Sequence, residues 1–135
     1  MTEKELCKEA ISAMRNAYSP YSDCKVGAAL LTKSGKLYIG VNIENASYSA
    51  TVCAERTALF KAISEGEREF SMISVVGSRN GEIISGFNPC GICRQVMAEF
   101  CNSDFAVLVV DREDGFSKYT LSELLPFSFT SEKLK

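Results

Sequence analysis

Apolar positions along the chain follow two different periods, and each period predicts a different kind of element. Thr2 and Glu5 have the spacing of a helix capping box. Apolar residues recur at helical spacing behind it: Leu6, Ala10, Ala13, Met14 and Ala17. Short apolar runs then cover Val26 to Leu31 and Lys36 to Val41, with a turn at Ser34–Gly35 between them. The pattern predicts a helix followed by a β-hairpin.

The rest of the chain is also predicted to form helices and strands in turn. The predicted elements are a helix from about Cys53 that stops at Gly66, a strand from Met72 to Val76, a loop from Ser78 to Asn88, a helix from about Cys90 to Phe100, a strand from Ala106 to Val110, a turn at Asp114–Gly115 with a further short strand, and a helix opened by the capping box of Thr120 and Glu123. This order predicts a single α/β domain over residues 1–135, in which helices cover both faces of a mixed five-stranded sheet in three α/β/α layers.

Composition and charge narrow the classes of partner. The chain has 135 residues, of which 46% are hydrophobic and 24% charged, as expected for one ordinary domain. Its net charge is -2, and Lys and Arg are scattered, which disfavours a nucleic-acid partner. The N-terminus carries both charge signs, and no apolar run is long enough to cross a bilayer. We therefore expect a cytoplasmic protein with no membrane and no nucleic acid as partner.

Three of the six cysteines have the spacing of metal ligands. Cys90 and Cys93 lie three residues apart at a predicted helix start, so that both sulfurs project from one side. Cys53 opens another helix, and the partial positive charge of a helix N-terminus favours the thiolate. Three cysteines bind Zn²⁺ and leave a fourth position for water, which is the pattern of a catalytic zinc site. The chain has no histidine, which excludes histidine ligands and histidine-based catalytic triads.

Two residues next to Cys53 fit the chemistry of such a site. Glu55 follows two positions later and is a candidate general base for a water molecule at the open position. Three thiolates leave a dication with an excess of negative charge, which a guanidinium at Arg56 offsets by donating to the sulfurs. A Cys, a Glu two residues on and a distant P-C-x-x-C together match the signature of zinc deaminases.

Other interpretations of the cysteines predict no catalysis or a different chemistry. A structural zinc site would be closed by Cys24 or Cys101 as a fourth ligand, but it leaves Glu55 and Arg56 unexplained. A thioredoxin-like redox pair should closely follow a strand, whereas a long loop precedes Cys90. Cys7 and Cys101 lie on predicted helices and fit buried core positions.

Several longer segments carry a resemblance to one family. They are Y-S-P-Y-S (18–22), V-G-A-A-L-L (26–31), N-I-E-N-A-S-Y (42–48), C-A-E-R-T-A-L-F-K-A (53–62), P-C-G-I-C-R-Q (89–95) and E-L-L-P (123–126). With them the chain resembles the small homotetrameric cytidine deaminases over nearly its whole length. The resemblance implies zinc-dependent hydrolytic conversion of cytidine and 2′-deoxycytidine to uridine and 2′-deoxyuridine, with release of ammonia.

The resemblance also implies roles for residues that bind the nucleoside. Asn42 and Glu44 match the pair that holds the ribose hydroxyls, and Ala54 offers a backbone group to the base. The chain departs from the family at Cys24, where an aromatic side chain usually helps to sandwich the pyrimidine. Loss of such a ring weakens stacking by about 0.5–1.5 kcal/mol.

Three further residues match positions that the family contributes across subunit interfaces. Ala46 and Tyr48 lie in such a segment, and Phe129 resembles the C-terminal aromatic that packs on the base in a neighbouring subunit. The resemblance thus implies a homotetramer in which neighbouring subunits complete each site.

Two other classes of function stay open at this point. A deaminase of this kind could act on a different amino-pyrimidine, such as blasticidin S or a cytosine in RNA or DNA. The N-I-E-N segment speaks against the first and the charge balance against the second. The other class is a non-catalytic zinc-binding domain.

Overall fold

Single helices separate pairs of strands along the chain, and the helices cover both faces of one sheet in three α/β/α layers. The computed structural model describes residues 1–135. The helices are α1 (Glu3–Met14), α2 (Ala54–Ser64), α3 (Gly91–Phe100) and α4 (Leu121–Leu124), with 3₁₀ turns at Tyr48–Ala50 and Ser131–Leu134. The strands are β1 (Cys24–Thr32), β2 (Leu37–Val41), β3 (Phe70–Arg79), β4 (Glu82–Ile84), β5 (Ala106–Arg112) and β6 (Gly115–Thr120).

The sheet is mixed, as predicted. Its main path runs β2-β1-β3-β5-β6, in which β3 and β5 are parallel and the other neighbours are antiparallel. These five strands are the five predicted from the sequence. A sixth strand, β4, pairs with β3 inside the predicted loop. The turn Asn80–Gly81, with φ of 54° and 78°, reverses the chain there, and the strand behind it is too short to show a period of its own.

Helix α1 covers one face of the sheet. Its buried side chains Leu6, Cys7 and Ala10 pack with side chains of β1, β3 and β5 in one apolar cluster. The helix lies so close to β1 that a Cβ at Gly27 would overlap the backbone of Ala10 and Met14. Glycine at this position therefore sets the distance between helix and sheet.

Helices α2, α3 and α4 cover the opposite face and enclose the larger apolar cluster. Ala58, Leu59, Met97 and Leu121 are among its buried members. A Cβ at Gly40 would overlap the backbone of α2, so the helix packs directly on β2. The N-termini of α2 and α3 thereby lie on the same side of the sheet.

The C-terminal end of α1 differs from the sequence prediction, whereas that of α2 agrees with it. Helix α1 ends at Met14, so the prediction that Ala17 extends it was wrong. The amide of Tyr18 instead donates to Asn42 O at 3.0 Å, which draws the chain into a parallel bridge with Ile43. Helix α2 ends at Ser64, and Gly66 stops it as predicted, because its φ of 99° closes a Schellman turn.

No helix combines the length and the apolar character that a membrane span requires.

Candidate metal centre and active site

Three cysteine thiols converge where the N-termini of α2 and α3 meet. The sulfur atoms of Cys53, Cys90 and Cys93 all lie within 4.8 Å of one another, and Sγ of Cys53 lies 3.7 Å from Sγ of Cys90. Cys93 is fully buried, Cys53 is partly buried and Cys90 is exposed. The cluster is thus open to solvent at Cys90 and closed at Cys93.

This geometry fits zinc. A tetrahedral zinc ion with Zn–S bonds of about 2.3 Å holds its sulfurs about 3.8 Å apart. The Cys53–Cys90 distance matches that value without rearrangement. The remaining cysteines belong elsewhere: Cys7 lies in the cluster under α1, and Cys24 and Cys101 pack in or against the larger apolar core. No fourth cysteine joins the set, so the structural zinc site closed by Cys24 or Cys101 does not form.

The ligand positions place the sulfurs in the field of two helices. Cys53 is the N-cap of α2, Cys90 is the N-cap of α3, and Cys93 lies in the first turn of α3. Neither N-cap cysteine makes a side-chain hydrogen bond to its helix. The first-turn amides and the helix dipoles therefore stabilise negative charge at the sulfurs.

Arg56 contacts this cluster directly. Its Nη2 donates to Sγ of Cys53 at 3.4 Å. Hydrogen bonds from Cys93 and Arg56 together lower the pKa of Cys53 to about 5, against the effect of burial. Cys93, which donates in that pair, has its pKa raised by the same hydrogen bond and by burial. One positive charge is therefore held against the sulfurs, as a site of three thiolates and one dication requires.

Glu55 lies beside the same sulfurs and is only 4% exposed. Burial, reinforced by negative charge at Cys53, raises the pKa of Glu55 to about 7, while hydrogen bonds from its own amide and from Cys93 act in the opposite direction. A carboxyl group in this state can both accept and release a proton near neutral pH, which is what a general acid–base requires.

Glu44 is buried and lines a cleft of about 380 Å³ together with Tyr21, Ser22, Tyr48 and Thr51. The amides of Tyr21 and Ser22 donate to Glu44 Oε1 at 2.9 and 3.0 Å, and the Ser22 hydroxyl donates to Oε2. Burial would raise the pKa of Glu44, but these hydrogen bonds outweigh it and lower the pKa. The carboxylate is thus held ionised in one orientation.

Asn42 is buried and braces the start of β1. Its Oδ1 accepts from the amide of Val26 at 2.8 Å, and its Nδ2 donates to Cys24 O at 2.8 Å. These bonds use half of the hydrogen-bonding capacity of an asparagine side chain. One N–H and one lone pair remain for a ligand.

The three residues matched to subunit interfaces are all exposed to solvent in this chain. Ala46 is exposed in the loop before the first 3₁₀ turn. Tyr48 is 75% exposed and meets the Tyr21 ring edge-on, with the ring centroids 5.9 Å apart. Phe129 is 58% exposed in the C-terminal segment. Cys24 is buried and packs in the larger core.

Several residues of the site were quoted in motifs but given no role from the sequence. Tyr21 and Ser22 hold a carboxylate more than twenty positions away, so no local spacing indicates the pair. Thr57 donates to Val41 O at 3.0 Å and to Cys53 O at 3.2 Å, which fixes the start of α2 against the end of β2. Its position four residues after Cys53 is the signal that could have indicated this bond.

A three-layer α/β/α fold with three thiols and a buried glutamate at two helix N-termini is the arrangement that defines zinc-binding nucleobase deaminases. Comparisons with known proteins give the narrower assignment. The family profile described as "Cytidine and deoxycytidylate deaminase zinc-binding region" matches residues 1–109. The chain therefore belongs to the cytidine and deoxycytidylate deaminase family.

Individual relatives cover the whole chain. The cytidine deaminase of Halalkalibacterium halodurans is 51% identical over 99% of this chain and 98% of its own length. That of Sporosarcina psychrophila is 46% identical over 99% and 96%. The crystal structure of cytidine deaminase from Burkholderia pseudomallei superposes with a TM-score of 0.88 at 44% identity, covering 96% of this chain and all of that one.

Proposed function

We propose that the protein is a zinc-dependent hydrolase that deaminates cytidine and 2′-deoxycytidine. One water molecule is consumed, the C4–N4 bond breaks, and uridine or 2′-deoxyuridine and ammonia are formed. The observation that carries the proposal is the burial of Glu55 against a three-thiol cluster that is open on one side. The full-length similarity to cytidine deaminases supports the choice of substrate.

Cys53, Cys90 and Cys93 hold the zinc ion, which when bound supplies Lewis-acid activation of water. Glu55 accepts the proton of the attacking water on its carboxylate. It delivers that proton to N3 of the base, then accepts the proton of the new C4 hydroxyl and passes it to the departing amine, which leaves as ammonia while the C4 carbonyl forms. Its raised pKa suits both directions of transfer. Arg56 offsets the negative charge of the thiolates.

The nucleoside is held by groups that the fold leaves available. Asn42 and Glu44 bind the ribose hydroxyls, the amide with its free N–H and the carboxylate with its remaining lone pair. The backbone amide of Ala54, in the first turn of α2, has no intrahelical acceptor and is available to the base.

The active form is a homotetramer whose sites are completed by neighbouring subunits. Large apolar side chains are exposed around the cleft and on the C-terminal segment, among them Tyr21, Tyr48, Phe127 and Phe129. Clusters of such side chains mark interaction surfaces. Ala46, Tyr48 and Phe129 supply the contacts across the interface, and Phe129 packs on the base in the neighbouring site.

The protein acts in the cytoplasm, where it returns cytidine to the uridine pool in pyrimidine salvage. Three thiolate ligands need a compartment that keeps cysteines reduced, which supports this location.

A substrate panel tests the proposed reaction. Zinc-loaded protein is mixed with cytidine, 2′-deoxycytidine, blasticidin S and a cytosine-containing oligonucleotide, and ammonia release is followed with the ultraviolet change at the base. We expect turnover of the two nucleosides, its loss after chelation and its return with added zinc. Turnover of only blasticidin S or the oligonucleotide would replace the proposed substrate, and no turnover of any compound would favour a non-catalytic zinc domain.

Complementation tests the shared sites. Glu55→Gln subunits lack the proton carrier but keep Phe129, whereas Phe129→Ala subunits keep Glu55. Mixed tetramers made by co-refolding should regain activity above the sum of the two parents, because one subunit supplies the aromatic to the other. Activity equal to that sum would contradict completion of the site across subunits.

A further inference from the structure

Arg94 and Gln95 directly follow the ligand Cys93 on α3. Their side chains donate hydrogen bonds to backbone carbonyls both earlier and later in the chain. Arg94 Nε donates to Pro89 O and Arg94 Nη1 donates to Leu124 O, each at 2.7 Å. Gln95 Nε2 donates to Phe129 O at 2.8 Å. None of these three contacts involves a sulfur atom or the cleft around Glu44.

The first contact fixes the turn that presents a metal ligand. Pro89 O belongs to the peptide that joins Pro89 to Cys90, so the hydrogen bond from Arg94 orients that peptide plane. Cys90 follows in an extended conformation, with φ of -68° and ψ of 167°, and its side chain makes no hydrogen bond to the helix that it caps. The Arg94 bond thus restrains a ligand position that lacks the usual restraint of an N-cap.

The other contacts anchor the C-terminal segment. Leu124 O lies at the end of α4, a helix of four residues whose last carbonyls lack intrahelical donors. Arg94 satisfies that carbonyl at one end, and Gln95 holds Phe129 at the other. Between the two anchors the chain turns outward at Phe127, which has a φ of 54° and is fully exposed.

We propose that Arg94 is a positioning residue that fixes the Cys90 ligand and the start of the Leu124–Phe129 segment relative to each other. Its planar guanidinium donates from two nitrogens in fixed, different directions, so a single side chain sets the relation between the two backbone carbonyls. It differs in this from Arg56, which acts on the sulfur charge itself. The inference rests on the proposed function in that zinc occupies the cluster and that Phe129 serves a neighbouring site.

The chain offers a matched control for the arginine. Arg68 also donates to two backbone carbonyls, Ile63 O at 2.9 Å and Glu67 O at 2.8 Å, but beyond the C-terminal end of α2. Arg68→Met removes a similar pair of hydrogen bonds without touching the ligand turn. Leu6→Ala lowers overall stability from the opposite face of the sheet and controls for general destabilisation.

The test uses zinc-loaded protein and two readouts other than activity. Competition with a chromogenic chelator gives zinc affinity, and hydrogen exchange gives the protection of amides in residues 125–130. We expect Arg94→Met to lower zinc affinity about 10–100-fold and to speed exchange in that segment, since residues that orient ligands typically have effects of this size. Arg94→Lys, with one ammonium group, should keep one carbonyl contact at most and give an intermediate result.

Unchanged zinc affinity or unchanged exchange in Arg94→Met would overturn the proposal, because loss of a side chain that fixes both the ligand turn and the C-terminal segment must affect both. Equal changes in Arg68→Met or Leu6→Ala would also overturn it. If Arg94→Met does not fold, Arg94→Lys decides the outcome. Neither readout uses a substrate, so failure of the proposed deamination and failure of this inference are distinguishable.

Discussion

The helix that covers one face of the sheet and the helices that carry the candidate metal ligands on the other face begin in different ways. At α1 the Thr2 hydroxyl accepts from the amide of Glu5, and the Glu5 carboxylate accepts from the amide of Thr2, both at 3.1 Å. At α2 and α3 the N-caps are Cys53 and Cys90, and neither side chain caps its helix. Residues preferred at N-caps are therefore present where the helix is structural and absent where the thiols converge.

The cysteines outside the three-thiol cluster differ from Cys53 in the surroundings of the sulfur. Burial raises the pKa of Cys7, on α1, to about 11, and that of Cys101, after α3, to about 12. The pKa of Cys53 is lowered to about 5 by hydrogen bonds from Cys93 and Arg56. The same residue type is a core side chain in one setting and a candidate metal ligand in the other, and the difference lies in the donors around the sulfur.

Cys90→Ser breaks this comparison most strongly. It gives α3 a preferred N-cap but removes a soft ligand from zinc. We expect loss of bound zinc and of deamination, because two thiols do not complete the site. In the metal-free state the variant should be more stable than the metal-free wild type, by about 1 kcal/mol. Zinc content by mass spectrometry and urea unfolding measure the two effects, and full zinc occupancy would contradict the ligand assignment.

The sequence was most informative where structure depends on neighbours along the chain. Both capping boxes, at Thr2 and at Thr120, form as predicted, since each needs only a spacing of three residues. The cysteine cluster was predictable because Cys90 and Cys93 share one helical turn, Cys53 opens another helix, and the chain has no histidine to serve as a ligand.

Contacts between distant segments leave no spacing pattern in the sequence. Glu44 depends on Ser22, and Arg94 depends on Leu124, thirty positions away. No periodicity links residues at these separations, and their pairing follows only from the packed fold. Strand β4 was missed because three residues behind a turn are too few to show a period.

Leu6→Ala removes apolar contacts on the α1 face of the sheet. Leu6 is fully buried against the sheet, and its truncation should destabilise the protein by about 2–5 kcal/mol. Because the metal centre lies on the opposite face, kcat for cytidine should be unchanged at temperatures where the variant is folded. Thermal unfolding and steady-state kinetics check the two halves, and a large fall in kcat would show that the faces are coupled.

Thr2→Ala tests the ordinary helix start at smaller scale. Removal of the hydroxyl leaves the Glu5 amide without its acceptor and should lower the free energy of unfolding by about 1 kcal/mol. Urea unfolding measures it. No loss of stability would mean that the capping box does not stabilise α1, and α1 would then not differ in this respect from α2 and α3.

The smallest expected effect is the loss of stability at acid pH that comes from protonation of Glu44. The pKa of Glu44 lies below its ordinary value of 4.5, so its ionised form stabilises the fold above that pH, and this contribution is lost as pH falls through the lowered pKa. Stability of the wild type should fall more steeply below about pH 4.5 than that of Glu44→Gln. Zinc release at low pH is common to both proteins. Equal slopes in urea unfolding would contradict the sign.

The central claim, that Glu55 carries protons in a zinc-dependent deamination, is tested most directly by cytidine turnover in Glu55→Gln at matched zinc content. The amide keeps the size of the side chain but cannot accept and return a proton. We predict a full complement of zinc, an intact fold and a rate lower by about 10²–10⁴. Near-normal conversion of cytidine to uridine in the zinc-loaded variant would contradict the account.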